Sequence, residues 1–321
     1  MEIDIKGKIN EKKLAYSNTL LPLYEAVVNS IHAIDEYSST KPGIIEIDIA
    51  RSNQKELDFE NIDKLPEIID FVIKDNGIGF NERNFESFNY AHSTYKKGGK
   101  GIGRFTWLRA FHKAEIESYY TEGEKSYFRK FSFEPTKKGI ENYDKKEVVP
   151  IQKHSTIVKL INLKEDYRKW CNSKTEDIAL KIIEHTFIYF LNKDCPRIKI
   201  NDFGETVIVN DLFSLFTKGQ VDNKNVTIRN NKFKLSIVKL FNNKIDNKIH
   251  YCANNREVLC DKISVDIPEF DNFLTDDEDR NYSIAVYVEG DFLDNNVNEE
   301  RTNIAFSKGE IEYPMRPHKR N

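Results

Sequence analysis

Several features are scarce in this chain of 321 residues, and each scarcity argues against a class of protein. Its four cysteines, Cys171, Cys195, Cys252 and Cys260, are scattered and form no Cys-x-x-Cys pair. The expectation is therefore free thiols in a reducing cytoplasm, not a disulfide framework. The seven histidines show no metal-ligand spacing either, so no structural zinc site is expected. No apolar run approaches the length needed to span a bilayer. The opening residues, Met1-Glu2-Ile3-Asp4-Ile5-Lys6, lack the apolar core of a signal peptide, and secretion is not expected. Charge of one sign is also scarce. The net value is only −3, which does not announce a nucleic-acid binder. Two local basic stretches, Tyr95-Lys96-Lys97 and Arg316 to Arg320, read as a solvated surface and a tail.

What is present describes a globular protein: 39% hydrophobic and 31% charged residues, and enough length for two domains. From Leu20 to Tyr37 the residues Leu23, Ala26, Val27, Ser30, Ile31 and Ile34 recur at helical spacing, with Pro22 in the first turn. Gly43 punctuates, and Ile44 to Ile49 alternates as a strand does. A second apolar strand, Ile68 to Lys74, runs into the turn Asp75-Asn76-Gly77-Ile78-Gly79, rich in residues that tolerate positive φ. The stretch Phe105 to Phe111 suits a helix. Strands are expected at Ala114 to Tyr120, Ser126 to Phe133 and Thr156 to Leu163, making the first half an α+β sandwich. Thr175 to Leu191 reads as a helix capped by Ser173 or Thr175, with Glu176 and Asp177 in its first turn. Further strands are expected at Arg197 to Ile200, Thr206 to Val209, Lys234 to Leu240, Ile249 to Cys252 and Ser283 to Val288. The acidic stretch Asp271 to Asp279 is the candidate for least order.

Three motifs carry chemistry. Glu25 and Asn29 stand at i and i+4 and leave one helix face together. A carboxylate that orients water beside an amide oxygen that completes a cation's shell is a working pair for magnesium chemistry. Asp75, at the end of an apolar strand and followed by Gly77 and Gly79, can accept a hydrogen bond from an exocyclic amine such as that of adenine. Gly98-Gly99-Lys100-Gly101-Ile102-Gly103 is a loop whose successive amides can cradle phosphate oxygens, with a helix start behind it. It is neither a Walker loop, since no Lys-Ser/Thr pair closes it, nor a dinucleotide fingerprint.

In order and spacing these motifs resemble the GHKL superfamily of ATPases, which includes gyrase B subunits, the large heat-shock chaperone of the ninety-kilodalton class, histidine kinases, MutL and the MORC proteins. A fourth box matches at Ser155-Thr156-Ile157-Val158. The resemblance implies a Bergerat-type α+β sandwich and a set of roles. Glu25 would be the general base, and Asn29 would ligate magnesium. Asp75 would bind the adenine amine with Thr156 in support, and Gly77 and Gly79 would line the adenine wall. Gly99, Lys100, Gly101, Ile102 and Gly103 would surround the phosphates, the three glycines donating amides. The stretch Phe85 to Lys100 would be a lid over ATP. Two positions depart from the pattern: His32 stands where the family has Asp before Ala33, and Ser155 where it has Gly. His32 reads as a structural histidine.

The expected division is an ATP-binding domain at 1–172 and a smaller α+β transducer-like domain of the ribosomal S5 type at 173–321. In the latter, Tyr251-Cys252-Ala253-Asn254-Asn255-Arg256-Glu257-Val258 resembles the Asn-Gly-Arg strand turn of the MutL and gyrase second domain. Asn296 to Phe306 resembles the MutL stretch carrying an inter-domain lysine, with Arg301 in the lysine's place. A cation there neutralises transition-state charge and senses the terminal phosphate, and arginine adds a bidentate fork. With the first box at residue 25, a histidine-kinase arrangement is not expected, and a further dimerising domain is. The expected function is magnesium-dependent ATP hydrolysis driving lid closure and ATP-dependent homodimerisation. The setting would be DNA-linked or phage-defence, with DNA or a partner protein engaged and no membrane. The alternatives are a chaperone-like client binder and an ATP-binding signalling module with little turnover.

Overall fold

In the computed structural model the described residues are 5–11, 13–37, 42–52, 65–89, 103–171, 173–192, 194–217, 221–241, 246–298 and 303–304. The chain divides into two compact units, Met1–Leu215 and Phe216–Asn321. Among the described residues, no helix is long and apolar enough to cross a membrane.

The first unit runs α1 (Ile5–Asn10), α2 (Leu21–Glu36), β1 (Ile44–Arg51), β2 (Ile68–Asp75), α3 (Glu82–Asn89), α4 (Phe105–Ala110), β3 (Phe111–Glu122), β4 (Lys125–Phe133), β5 (Ile140–Val148), β6 (Ser155–Leu163), α5 (Glu165–Cys171), α6 (Thr175–Phe190), β7 (Arg197–Asp202) and β8 (Glu205–Ile208). A last helix, α7 (Val209–Thr217), crosses the division. Eight strands form one sheet in the order β5-β4-β3-β6-β2-β1-β7-β8. All neighbours pair antiparallel except β1 and β7, which are parallel.

The 3.6-residue period of α2 produces the face it buries. Leu23, Ala26, Val27, Ser30 and Ile31 are buried, and the helix packs on β1, β2, α4 and α6. Each of Leu23, Val27 and Ile31 contributes about 1.5–3 kcal/mol by leaving water. Pro22 lies in the first turn, where its missing N–H forfeits no helical bond.

The expected boundary at 172/173 is replaced by one at Leu215/Phe216, because α6 and β7 return to the first sheet. Ile44 to Asp48 of β1 pair with Arg197 to Asn201 of β7. A buried polar cluster fastens the junction. Arg51 Nε donates to both Asp202 oxygens at 3.0 Å, and its Nη2 donates to Asp202 Oδ2 at 2.7 Å and to the Ser173 carbonyl at 2.9 Å. Thr175 Oγ1 donates to the same Asp202 oxygen at 2.9 Å. Thr175 is thus the first residue of α6 and not its cap. Lys174 occupies the cap position, without a side-chain capping bond. Removing the carboxylate strands a buried guanidinium. Asp202→Ala is therefore expected to destabilise the protein by about 3–5 kcal/mol, read as a lowered urea midpoint for the first unit. A loss under about 1 kcal/mol, the scale of an exposed pair, would show that the cluster is not the fastening.

The second unit contains β9 (Val221–Ile228), β10 (Asn231–Leu240), β11 (Lys248–Ala253), β12 (Arg256–Lys262), β13 (Leu274–Thr275), β14 (Asn281–Glu289) and α8 (Asp291–Asn296). Five strands run in the order β12-β11-β14-β10-β9, with β13 pairing at the start of β14. Strands β11 and β14 are parallel. One face of this sheet buries Ala253, Val258, Val288, Leu293, Val297 and Ile304. The acidic stretch Asp271 to Asp279 is not shapeless. It holds β13 and a turn in which Asp276 accepts from the Arg280 side chain at 2.9 Å and from the backbone amides of Glu278 and Arg280. Those bonds, the Arg280 side chain first, hold the Asp276 carboxyl down at about 2.

Candidate functional site

The motifs expected to act together are separated in sequence, and the first sheet brings two of their residues, Asp75 and Thr156, side by side. Asp75 ends β2, where it pairs across to Thr156 on β6, and Thr156 in turn pairs with Ser118 on β3. Three polar residues thus stand in a row across three adjacent strands, all buried. Ser118 Oγ and Thr156 Oγ1 lie 3.0 Å apart, and the Phe80 amide donates to Ser118 Oγ at 3.0 Å. The Asp75 carboxylate is held from two sides. Ser30 Oγ of α2 donates to Oδ2 at 2.8 Å, and the Gly77 amide donates to Oδ1 at 2.9 Å.

The turn after β2 lies against α2. The Ile78 amide donates to the Ala33 carbonyl at 2.8 Å, and a Cβ on Gly77 would come within 2.6 Å of the Ala33 backbone. Gly77 therefore makes room for the helix. Gly79 has φ of +79°, a conformation L side chains rarely adopt, and a Cβ there would come within 2.8 Å of Ser118 Oγ. Both glycines let the chain leave β2 flat against its neighbours.

Glu25 and Asn29 lie one turn apart on α2, Glu25 only 5% exposed and Asn29 half-buried. Gly103, the last residue of the glycine loop, packs directly on the Glu25 carboxylate, so closely that a Cβ would overlap it. This approach is the physical reason for glycine at 103. It also brings the end of the loop to the first motif across nearly eighty residues of sequence. Gly103 leads into α4, its carbonyl accepting from the Thr106 amide at 3.0 Å and hydroxyl at 2.6 Å. Beside it Arg104 is buried, its guanidinium over the Phe88 and Phe105 rings at 5.0 and 5.1 Å, and burial lowers its pKa to about 10.

Gly98, Gly99, Lys100, Gly101 and Ile102 lie outside the described residues, as does Arg301. On either side of Arg301, Val297 and Ile304 form an antiparallel bridge, and the Asn298 amide donates to the Asn303 carbonyl at 2.9 Å. Of the stretch Phe85 to Lys100, the described part ends with α3, which is anchored. Phe85 and Phe88 meet Phe131 of β4 at centroid distances of 5.2 and 5.4 Å. The start of α3 is fixed by Arg129, fully buried on β4. Its Nη1 donates to the Phe80 and Asn81 carbonyls at 2.9 and 3.0 Å, and its Nη2 to Glu82 at 2.6 Å. Lys145, at 2.6 Å, and Arg129 hold the Glu82 carboxyl below its ordinary range.

His32 hydrogen-bonds the Tyr189 hydroxyl of α6 at 2.8 Å, joining two helices. Three residues of the site carried no sequence signal of their own: Ser30, Ser118 and Arg129. Ser30 follows Asn29 directly, but only the fold shows that its hydroxyl meets Asp75. Ser118 and Arg129 could have been suspected only as polar residues in strands whose neighbours are apolar.

Comparison with known protein families yields no matching family model, and comparison with curated proteins yields no matching sequence.

Proposed function

We propose that this chain binds magnesium-ATP and hydrolyses it in the manner of the GHKL ATPases, using the cycle to close a lid and bring two chains together. The observation that carries the reading is the packing of Gly103 on the buried Glu25 carboxylate of α2, the helix whose Ser30 hydrogen-bonds Asp75. On this reading one helix, α2, connects the general base, the amine acceptor and the end of the phosphate loop.

Asp75, a buried carboxylate at the end of β2, would accept from the adenine amine. Thr156 and Ser118 keep that carboxylate's neighbours polar and fixed. Glu25 takes the proton from the water that attacks the terminal phosphorus, the bridging P–O bond breaks, and ADP and phosphate leave. The donor set suits magnesium, which Asn29 would help hold and whose charge would offset that of the phosphates. The resemblance assigns Gly99, Lys100, Gly101 and Ile102 to the phosphate cradle and Arg301 to a cation that would answer to the terminal phosphate, all five outside the described residues. Lid closure would begin after α3, since Phe85 and Phe88 are already committed to the sheet. The DNA-linked or phage-defence setting rests on analogy between folds.

The test is ATP turnover by the full chain with and without duplex DNA, beside a mass measurement with a non-hydrolysable ATP analogue. The expected result is measurable turnover, raised by DNA, and a doubling of mass with the analogue. Binding without turnover would replace the hydrolase by a signalling module. Turnover indifferent to DNA would remove the DNA-linked setting and leave the client-binding chaperone. An unchanged mass would remove the dimerisation switch.

A further inference from the structure

The second unit carries a cluster of side chains that the nucleotide reading does not use. Strands β11 and β12 form a tight hairpin, turned by Asn254 and Asn255 at φ of 51° and 63°. From the turn outward Ala253 pairs with Arg256 and Cys252 with Glu257, but Tyr251 then pairs with Leu259 and His250 with Cys260. Val258 is the extra residue of a β-bulge. In an unbroken strand residues 257 and 260 would face opposite sides, because side chains alternate. The bulge reverses that, and Glu257, His250 and Cys260 share one face.

On that face a ring nitrogen of His250, a carboxylate oxygen of Glu257 and the sulfur of Cys260 all lie within 4.8 Å of one another. His250 Nδ1 hydrogen-bonds Glu257 Oε2. The imidazole is fixed before any ligand arrives: its side chain is 1% exposed, and it stacks on Tyr287 with 4.4 Å between centroids and 8° between planes. Its Nε2 is buried and meets no hydrogen-bond partner among the described residues. Cys260 is exposed on the edge strand, which leaves an approach from solvent.

We propose that His250, Glu257 and Cys260 form a binding site for a divalent transition metal, zinc by preference, with the fourth position open to water or a partner's side chain. Imidazole, carboxylate and thiolate together are a zinc donor set, and a hard cation such as magnesium would not select the sulfur. A plain structural His–Glu pair would explain one hydrogen bond. It would not explain why a bulge brings a thiol to the same face. Cys252 shares that face but is buried and lies outside the cluster. Binding releases the Cys260 thiol proton to solvent, so affinity falls as pH falls.

The site is tested by titrating the reduced, chelator-treated full chain with cobalt(II) and following the thiolate-to-cobalt absorption band. One equivalent should saturate the band, and zinc should abolish it. Cys260→Ser, at an exposed position, should remove the band and weaken binding by at least about a hundredfold, the scale on which even outer-sphere partners act. Glu257→Gln should weaken binding with the band retained, and Cys195→Ser should change neither. Absence of the band in the unsubstituted chain, or its persistence in Cys260→Ser, would overturn the proposal. Nucleotide binding is not an element of this test, so its failure and that of the ATPase reading are separate.

Discussion

Replacing Asp75 by asparagine is expected to weaken ATP binding by at least about a hundredfold while leaving the protein folded. The amide keeps one oxygen, which can still accept from the Gly77 amide. Its NH2 then faces Ser30 Oγ, and that hydroxyl can turn from donor to acceptor. The adenine amine has no such recourse. A donor meets a donor in a buried site, which costs the lost charge-assisted bond and the desolvation of both groups, about 3 kcal/mol or more. Calorimetry on a variant whose thermal melt matches the unsubstituted chain reads the effect. Unchanged affinity would mean that Asp75 only holds the turn.

The second large effect separates chemistry from binding. Glu25→Ala is expected to keep ATP bound and to slow hydrolysis by about a hundredfold or more, the usual scale for a lost general base. Glu25→Gln provides the stricter form of the test, because it preserves the packing under Gly103 and removes only the basicity. Normal single-turnover hydrolysis in the glutamine variant would assign the proton transfer elsewhere. A loss of ATP affinity equal to the loss of rate would make Glu25 a binding residue.

Much of the first unit was legible because its interior is periodic. Helix α2 announces itself through Leu23, Ala26, Val27 and Ile31, β1 through alternating apolar residues at the positions the structure buries, and β2 as a short apolar run. Strands β5 and β9 were missed for the opposite reason. Each is the edge of its sheet, and a strand such as Ile-Glu-Asn-Tyr-Asp-Lys-Lys-Glu-Val has almost nothing buried to alternate. The domain boundary was misplaced because the pairing of Ile44 with Arg197 joins residues some hundred and fifty apart, and no local pattern records it. The cap of α6 failed on the same ground. A threonine at a helix start ordinarily turns to its own backbone, but Thr175 answers to Asp202, a residue of β7.

The candidate site divides in the same way. Glu25, Asn29, Asp75 and the glycine loop were legible as motifs, since each needs particular residue types at fixed spacing. What holds them was not. Ser30, Ser118 and Arg129 act through partners far along the chain, and Gly103 is explained only by the carboxylate it lies against. The histidine–glutamate–cysteine cluster shows the limit most clearly. The spacing of His250, Glu257 and Cys260 matches no metal motif, and a single bulge makes them neighbours.

The central claim is that this fold presents an adenine-selective nucleotide site, and calorimetric titration of the unsubstituted chain with ATP and with GTP, each with magnesium, tests it most directly. Adenine offers an amine where guanine offers a carbonyl oxygen. The account predicts saturable binding of ATP to one site per chain and no measurable binding of GTP. Equal binding of the two, or no heat from either, would contradict it.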